Sequence, residues 1–253
     1  REDYSVLALV GDASIAGGLA FEGMDDAGGS GEPLIVILND NGMSISENVG
    51  ALSGHLSHLR TRPAYYELKK RYRNALTGSA AGEKFYLWSH DVKTALKKSL
   101  LPGSSLFEDM GFIYLGPING HSLNDLEQAM RMAKSYHRPV FVHVKTIKGK
   151  GYLPAENNPG EYHGISRFDV ESGNPEIAAG DSYSTIFGKE LLRLAENDQR
   201  ICAITAAMKY GTGLQYFGKK LPERFYDVGI AEQHAVTFGG GLASMGQIPV
   251  FAV

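Results

Sequence analysis

Two continuous apolar runs near the start of the chain predict neighbouring β-strands. Residues 5–10 read Ser-Val-Leu-Ala-Leu-Val, and residues 34–38 read Leu-Ile-Val-Ile-Leu. Apolar runs of this length suit strands that are covered on both faces, as in a parallel sheet. Residues 14–27, between the two runs, are rich in Ala, Gly, Met and Phe, which is typical of a helix packed closely on a sheet. The three stretches together predict a β-α-β unit.

The alternation of strands and helices continues along the chain. Further strands are predicted at residues 112–115, 139–144 and 201–204, near Phe225, and at residues 249–253. Helices are predicted at residues 123–136 and 183–197 and after Glu232, while the polar, basic stretch 65–103 is interpreted as a helical insertion or flap. This rhythm predicts the α/β fold class, with a doubly wound parallel sheet and part of a second α/β domain.

A change of composition predicts where the domains meet. Residues 154–181 are rich in Gly, Pro, Asn and Glu, which is typical of a linker. We therefore predict a first domain over residues 1–153, a linker over 154–182 and the start of a second domain over 183–253. Because the first strand begins almost at Arg1 and the last is cut at Val253, we interpret the sequence as an internal piece of a longer protein.

The composition narrows the classes of function. The chain has 253 residues, 43% of them hydrophobic, and a formal net charge of −3, which is ordinary for a soluble globular protein. The near-neutral charge gives no electrostatic reason to expect nucleic acid, and no apolar run approaches the length of a membrane span. Cys202 is the single cysteine, so a disulfide within the chain is excluded, and the eight histidines show no Cys/His metal pattern.

Polar side chains follow the first two predicted strands at the point where each strand ends. Gly11-Asp12 closes the first strand, and Asn39-Asp40-Asn41 closes the second. The carboxyl ends of neighbouring parallel strands open into the ligand crevice of such folds. We therefore expect Asp12 and Asn41 to hold a hard cation that carries a diphosphate, beside a helix N-terminus. The alternative from these residues alone is that both side chains only cap helices.

Several motifs resemble those of one enzyme family. Gly11-Asp12-Ala13, with Asn41 following Asp12 by 29 positions, is similar to the thiamine diphosphate signature, although Ala13 stands where the signature has Gly. The chain resembles 1-deoxy-D-xylulose-5-phosphate synthases, which are transketolase-like enzymes, from about Val6 to its last residue. The segments that carry this resemblance are residues 39–50, 115–121, 146–152, 154–156, 162–163 and 225–237. Asn119 and Ser122 depart from it, since the family has Asp at both positions.

The resemblance implies a thiamine-diphosphate-binding fold and a set of cofactor contacts. Mg²⁺ would be held by the side chains of Asp12 and Asn41 and by the backbone carbonyl of Met43. Ile45 would lie under the bent cofactor, and Lys148 would reach the diphosphate or a reacting oxygen. From the residues alone, simple packing is the alternative for Ile45, and a surface position is the alternative for Lys148. The implied cofactor contacts are Gly11, Asp12, Ala13, Ser14, Asn41, Met43, Ile45, Lys148 and Glu232.

Two residues are implied as catalytic. In the resembled family, the carboxylate at the position of Glu232 hydrogen-bonds the pyrimidine ring of the cofactor, and this role calls for a largely apolar site. His163, in the predicted linker, is implied as a contact of the substrate or as a proton shuttle. The alternatives are a Glu in the first turn of an ordinary helix and a surface histidine.

The activity implied by the resemblance is the condensation of pyruvate with D-glyceraldehyde 3-phosphate, with loss of CO₂, to give 1-deoxy-D-xylulose 5-phosphate for isoprenoid synthesis. The resemblance also implies a homodimer in a bacterial cytoplasm or plastid stroma, with no nucleic-acid or membrane partner. Two alternatives stay open: another transketolase-like enzyme that transfers a two-carbon ketol unit, and a non-catalytic cofactor-binding fragment. From these 253 residues alone we expect little or no turnover.

Overall fold

The computed structural model describes residues 4–43, 50–60, 106–174 and 182–253, which form two compact units. The first unit lies within Arg1–Gly11, Phe21–Asn41 and Gly54–Thr146, and the second within Asp12–Ala20, Gly42–Ser53 and Ile147–Val253. The predicted insertion at residues 65–103 lies outside the described residues.

A four-stranded parallel sheet is the frame of the first unit. Its strands are β1 (Val6–Gly11), β2 (Leu34–Asp40), β3 (Ile113–Asn119) and β4 (Val140–Lys145), in the order β1-β2-β4-β3. The helices that accompany them along the chain are α1 (Gly18–Ser30), α2 (Ala51–Arg60), α3 (Leu106–Asp109) and α4 (Leu123–Ser135). α1 connects β1 to β2, and α4 connects β3 to β4, as parallel pairing requires.

α4 covers one face of this sheet. Ser122 caps the helix, since its side-chain oxygen accepts a hydrogen bond from the N–H of Asp125 at 3.3 Å. Ala129 and Ala133, one turn apart, are buried against the strands. The apolar cluster between helix and sheet consists of Ile35, Ile113, Leu115, Ile118, Ala129, Ala133, Val140, Val142 and Val144. Burying each of its larger side chains stabilises the unit by about 1.5–3 kcal/mol.

The strands differ in how well the apolar pattern predicts their burial. Residues 140–144 of β4 are all buried, as the continuous run predicts. For β1 the expectation of two covered faces is wrong, because Val6, Leu7 and Leu9 are 53%, 48% and 74% exposed. Among the described strands, β1 and β3 form the two edges of the sheet, yet β3 is largely buried, so the exposure of β1 reflects uncovered faces and not its edge position.

A three-stranded parallel sheet is the frame of the second unit. Its strands are β5 (Ile201–Thr205), β6 (Phe225–Asp227) and β7 (Ile248–Ala252), in the order β6-β5-β7. The helices are α5 (Leu153–Asn157), α6 (Tyr183–Asn197), α7 (Gln215–Lys220) and α8 (Glu232–Ser244). The core of this sheet is a cluster of Leu191, Ala195, Ala203, Leu214 and Phe217. α7, which supplies Phe217, was not predicted from the sequence.

The two parallel sheets with their connecting helices confirm the predicted α/β fold class. The predicted linker at residues 154–182 contains regular structure: a 3₁₀ helix at Glu161–His163 and all but the first residue of α5 lie within it. Residues 175–181 lie outside the described part. Of the helices in the described ranges, none combines the length and the apolar character that a membrane span needs.

Candidate cofactor site

The carboxylate of Asp12 lies at the carboxyl end of β1, only 5% exposed. Its Oδ1 accepts a hydrogen bond from the N–H of Ala13 at 3.1 Å, and its Oδ2 accepts one from the N–H of Gly42 at 2.7 Å. The second bond joins two parts of the chain that are 30 residues apart, and these are the two segments that carry the predicted signature. Two backbone donors therefore fix the orientation of this carboxylate in the second unit.

The turn that follows Asp12 is tighter than predicted. A single helix was expected over residues 14–27, but a 3₁₀ helix at Ser14–Ala16 precedes α1, and the two are separated by Gly17. The N–H of Ala13 is engaged by Asp12, whereas Ser14 is exposed at the start of the short helix. A Cβ placed on Gly17 would lie 3.8 Å from the carbonyl oxygen of Ile230, so this turn approaches the loop that precedes Glu232.

Asn41, Gly42 and Met43 follow the end of β2 and are half-buried. Gly42 has a φ of +76°, a conformation that glycine adopts without steric cost, and its N–H is the donor to Asp12. Asn41 closes the first unit and Met43 lies in the second. Ile45, predicted to lie under the cofactor, is outside the described residues.

Lys148 and His163 are brought together by the fold of the second unit. The Nζ of Lys148 lies 2.9 Å from Nδ1 of His163, although 15 residues separate them. Burial lowers the pKa of Lys148, and the nearby carboxylate of Asp12 opposes that shift. Partial burial also lowers the pKa of His163, and the charge of Lys148 lowers it further. The structure thus places two of the predicted site residues in one hydrogen bond, within electrostatic range of a third.

Glu232 is the first residue of α8. It lies on the same stripe of the helix as Ala235 and Gly239, which are buried, but one turn nearer the N-terminus. Because α8 connects β6 to the parallel strand β7, its N-terminus lies at the carboxyl ends of these strands, where α/β folds bind ligands. Glu232 is exposed in this structure, so the largely apolar surroundings expected for it stay a prediction about the protein with its cofactor bound.

Asp227 organises the loop that leads to Glu232. Its Oδ1 accepts hydrogen bonds from the N–H of Ala207 at 2.9 Å and from the N–H of Gly229 at 3.1 Å. Ala207 has a φ of +58°, which is costly for a residue with a side chain, so these bonds hold a strained turn. Asp227 was not predicted from the sequence, although an Asp directly before Val-Gly at a strand end is the signal that could have indicated it.

A second group of buried polar side chains was not predicted from the sequence. Tyr114, His143 and Asp40 form a chain of hydrogen bonds within the first unit, with His143 and Asp40 both fully buried. A histidine in the otherwise apolar run of β4 is the signal in the sequence, but its partners are 29 and 103 residues away and cannot be read from spacing.

The donor set of the predicted cation site fits a hard metal ion. It consists of a carboxylate, an amide and a backbone carbonyl, which are the oxygen ligands that Mg²⁺ accepts. A carboxylate offers about four acceptor positions, so accepting N–H bonds, as Asp12 does, is compatible with binding a cation. Within the described ranges, no three His, Cys, Asp or Glu side chains are grouped to hold a metal. Of the three predicted cation ligands, only Asp12 is one of these four residue types. The absence of such a group therefore does not test the predicted cation site, which stays a prediction.

Comparison with known proteins covers the whole chain. Residues 1–146 match the family model described as 1-deoxy-D-xylulose-5-phosphate synthase, and residues 180–253 match the transketolase pyrimidine binding domain. The 1-deoxy-D-xylulose-5-phosphate synthases of Desulforudis audaxviator and Clostridium kluyveri are 49% and 47% identical over 253 residues, which is 100% of this chain and 40% of each relative.

Solved structures give a much weaker likeness. The transketolase of Campylobacter jejuni overlaps 99% of this chain and 43% of its own, at 16% identity and a TM-score of 0.34, too low for any inference. The chain spans about 40% of the length of the curated relatives it matches. The first family model alone covers more than half of the chain, at residues 1–146 of 253. The chain therefore belongs to the 1-deoxy-D-xylulose-5-phosphate synthase family.

Proposed function

We propose that the protein containing this chain catalyses the decarboxylative condensation of pyruvate with D-glyceraldehyde 3-phosphate to 1-deoxy-D-xylulose 5-phosphate, with thiamine diphosphate and Mg²⁺. The observation that carries this proposal is the 2.7 Å hydrogen bond from Gly42 to Asp12, because it joins the two halves of the cofactor signature. Membership of the family supports the choice of substrates.

The first task of the residues is to bind the cofactor. Asp12, Asn41 and the carbonyl of Met43 would hold Mg²⁺, and the turn of Gly11, Ala13 and Ser14 would receive the diphosphate with Lys148 as its cation. Ile45 would contact the ring system of the cofactor. When bound, thiamine diphosphate supplies the carbanion and the electron sink that decarboxylation needs.

The second task is to move protons. Glu232 would hydrogen-bond the pyrimidine ring nitrogen and exchange a proton with it, and its place at the carboxyl ends of β5 and β6 supports this role. His163 would donate a hydrogen bond to the substrate through Nε2, because Nδ1 is already engaged by Lys148.

The organisation of the protein follows from the same proposal. We assign residues 1–153 to a diphosphate-binding domain, 154–182 to a linker and 183–253 to a pyrimidine-binding domain. The full-length protein would act as a homodimer in the cytoplasm of a bacterium or in a plastid stroma, at the start of isoprenoid precursor synthesis.

The test is cofactor binding and turnover by the protein as its gene encodes it. Calorimetry should show thiamine diphosphate binding that requires Mg²⁺, and Asp12→Asn should weaken it by at least about tenfold, since a metal ligand loses its charge. Asp169→Asn is the matched control, because Asp169 accepts a bond from the N–H of Ser172 in an exposed turn. Glu232→Gln should bind the cofactor but lose about 10²–10⁴-fold in turnover.

The choice of substrate separates this function from its nearest alternative. Pyruvate with D-glyceraldehyde 3-phosphate should release CO₂ in step with product. A protein that binds the cofactor and uses only a two-carbon ketol donor would be a transketolase-like transferase, and one that binds it without any turnover would be a binding protein.

A further inference from the structure

Three polar side chains on neighbouring strands of the first unit form a line of hydrogen bonds. The Oη of Tyr114 on β3 lies 2.6 Å from Nδ1 of His143 on β4, and Nε2 of His143 lies 2.7 Å from Oδ2 of Asp40 at the end of β2. Because β4 lies between β2 and β3, one side chain from each of three adjacent strands contributes. Tyr114 is 7% exposed, and the other two are completely buried.

The surroundings of this line are aromatic. Tyr114 is paired in register with Phe141, which lies two residues before His143 and therefore on the same face. The ring of Phe141 stacks on that of Phe107 at 3.8 Å between centroids. This enclosure raises the pKa of Tyr114 far above its ordinary value, first through burial and then through the charges of Glu108 and Asp40. The phenol therefore keeps its proton and is available as a donor.

A neutral imidazole satisfies all of these contacts at once. Tyr114 Oη–H donates to Nδ1 of His143, and Nε2–H of His143 donates to the carboxylate of Asp40. The chain of donors thus ends on a carboxylate, which makes its last bond charge-assisted. Every ring nitrogen of His143 has a partner.

The backbone around Asp40 is fixed as well. The carbonyl of Asp40 accepts a hydrogen bond from the N–H of Thr146 at 2.9 Å, and Oγ1 of Thr146 donates to Oδ1 of Asn39 at 2.7 Å. The end of β2 is therefore held by its side chains and by its main chain. Asn41 follows directly, and Gly42, the donor to Asp12, comes next.

Stability alone is a poor explanation for this arrangement. Burying three polar groups in a sheet core costs desolvation, and apolar side chains of similar volume fill such positions at no such cost. What the line provides is a fixed orientation for Asp40, one residue before a proposed ligand of the cation. Partners behind a metal ligand commonly set its geometry and its affinity.

We propose that Tyr114 and His143 are positioning residues for the cofactor's cation: by holding the carboxylate of Asp40, they fix the backbone that presents Asn41 and Gly42. The inference rests on the function proposed above, since it assigns a cation to that loop. Neither side chain needs to touch the cation or the substrate.

Binding of Mn²⁺, measured by the electron paramagnetic resonance signal of the free ion, tests the proposal. Mn²⁺ takes the oxygen ligands of Mg²⁺ and gives a readout independent of turnover. In the gene-encoded protein with thiamine diphosphate, Tyr114→Phe should raise the half-saturating Mn²⁺ concentration about tenfold, and His143→Leu more. His143→Gln should recover part of the loss, because an amide N–H replaces the donor to Asp40.

The controls separate positioning from general damage to the fold. Tyr136→Phe removes a hydroxyl from a half-buried tyrosine that packs against the apolar cluster on the other face of the sheet, and Mn²⁺ binding should not change. Unfolding curves establish that each variant is folded at the temperature of the titration. If His143→Leu does not fold, the titration of Tyr114→Phe alone tests the positioning role. Unchanged half-saturation in folded Tyr114→Phe would overturn the positioning role and leave the proposed function standing. Wild-type protein that binds no Mn²⁺ with thiamine diphosphate would overturn both.

Discussion

The hydrogen bond between Lys148 and His163 fixes the state of a single imidazole. An ammonium group has only protons to offer, so the 2.9 Å contact requires Nδ1 of His163 to be the acceptor. The neutral ring then carries its proton on Nε2. The pKa of His163 is lowered by partial burial and by the adjacent cation, so the neutral ring persists to lower pH than for an ordinary histidine.

Replacing Lys148 by Met should raise the pKa of His163 toward its ordinary value. The sign follows from the charge: the lysine cation disfavours a second positive charge beside it, and Met removes that effect while keeping the length of the side chain. The measurement is the pH titration of the His163 ring protons by NMR in both proteins. Lys150→Met is the control, because Lys150 contacts Glu156 instead. A pKa of His163 that is equal in wild type and Lys148→Met would contradict the contact.

Some site residues can be predicted from the sequence and others cannot. Asp12 and Lys148 were predicted because short motifs carry them, and the structure brings both into one unit with His163. The line of Tyr114, His143 and Asp40 could not be predicted, since its partners meet only when three strands pair in register. Whether the predicted residues hold the cofactor remains a prediction.

Between elements of the first unit, α1 packs closely on the turn that follows α3. A Cβ on Gly28 would lie 2.0 Å from the carbonyl oxygen of Met110, and a Cβ on Gly111 would lie 2.7 Å from the carbonyl oxygen of Gly28. Gly111 also has a φ of +100°, so glycine is required there on two grounds. The backbones of helix and turn therefore touch directly, without side chains between them.

Gly28→Ala should destabilise the protein by about 1–3 kcal/mol, because the new methyl group meets backbone atoms that cannot move aside cheaply. Gly23→Ala, in the same helix, should stabilise by about 0.5–1 kcal/mol, since nothing lies within 4 Å of the added Cβ. Urea unfolding of the two variants and the wild type gives both free energies. Equal effects of the two substitutions would show that α1 does not pack on this turn.

The apolar pattern predicts whether a segment is a helix or a strand better than it predicts how that segment is covered. It placed α6 at Tyr183–Asn197 and β4 at Val140–Lys145 to within a residue at either end. It missed α7, whose six residues are too few for a helical period to show. It also predicted a covered β1, because a run of apolar residues does not report which faces of its strand another element covers.

At the scale of the whole molecule, the second unit collects residues that are far apart in the chain. Asp12, Met43, Lys148, His163 and Glu232 all fall within it, although they come from three separate segments. Sequence order cannot show this, because a domain boundary predicted from composition assumes that neighbouring residues stay together. The division into residues 1–153, 154–182 and 183–253 therefore remains a proposal about evolutionary domains.

Cofactor binding should therefore slow amide hydrogen exchange unevenly along the chain. A ligand at one hundred times its Kd stabilises the folded state by about 2.7 kcal/mol, which corresponds to roughly hundredfold slower exchange wherever opening of the site is required. We expect this protection in Asp12–Ala20 and around Lys148, His163 and Glu232 when Mg²⁺ and thiamine diphosphate are added.

Exchange within α4 is the internal reference, because this helix belongs to the first unit and packs on its own sheet. Mass spectrometry of peptides from the gene-encoded protein makes the comparison, and Asp12→Asn should abolish the protection under the same conditions. Protection spread equally over α4 and the Asp12 turn would mean that the ligand stabilises the fold globally, and the placement of most site residues in the second unit would fail. Protection confined to α4 would place the cofactor elsewhere, since only residues that must open to release the ligand are slowed by it.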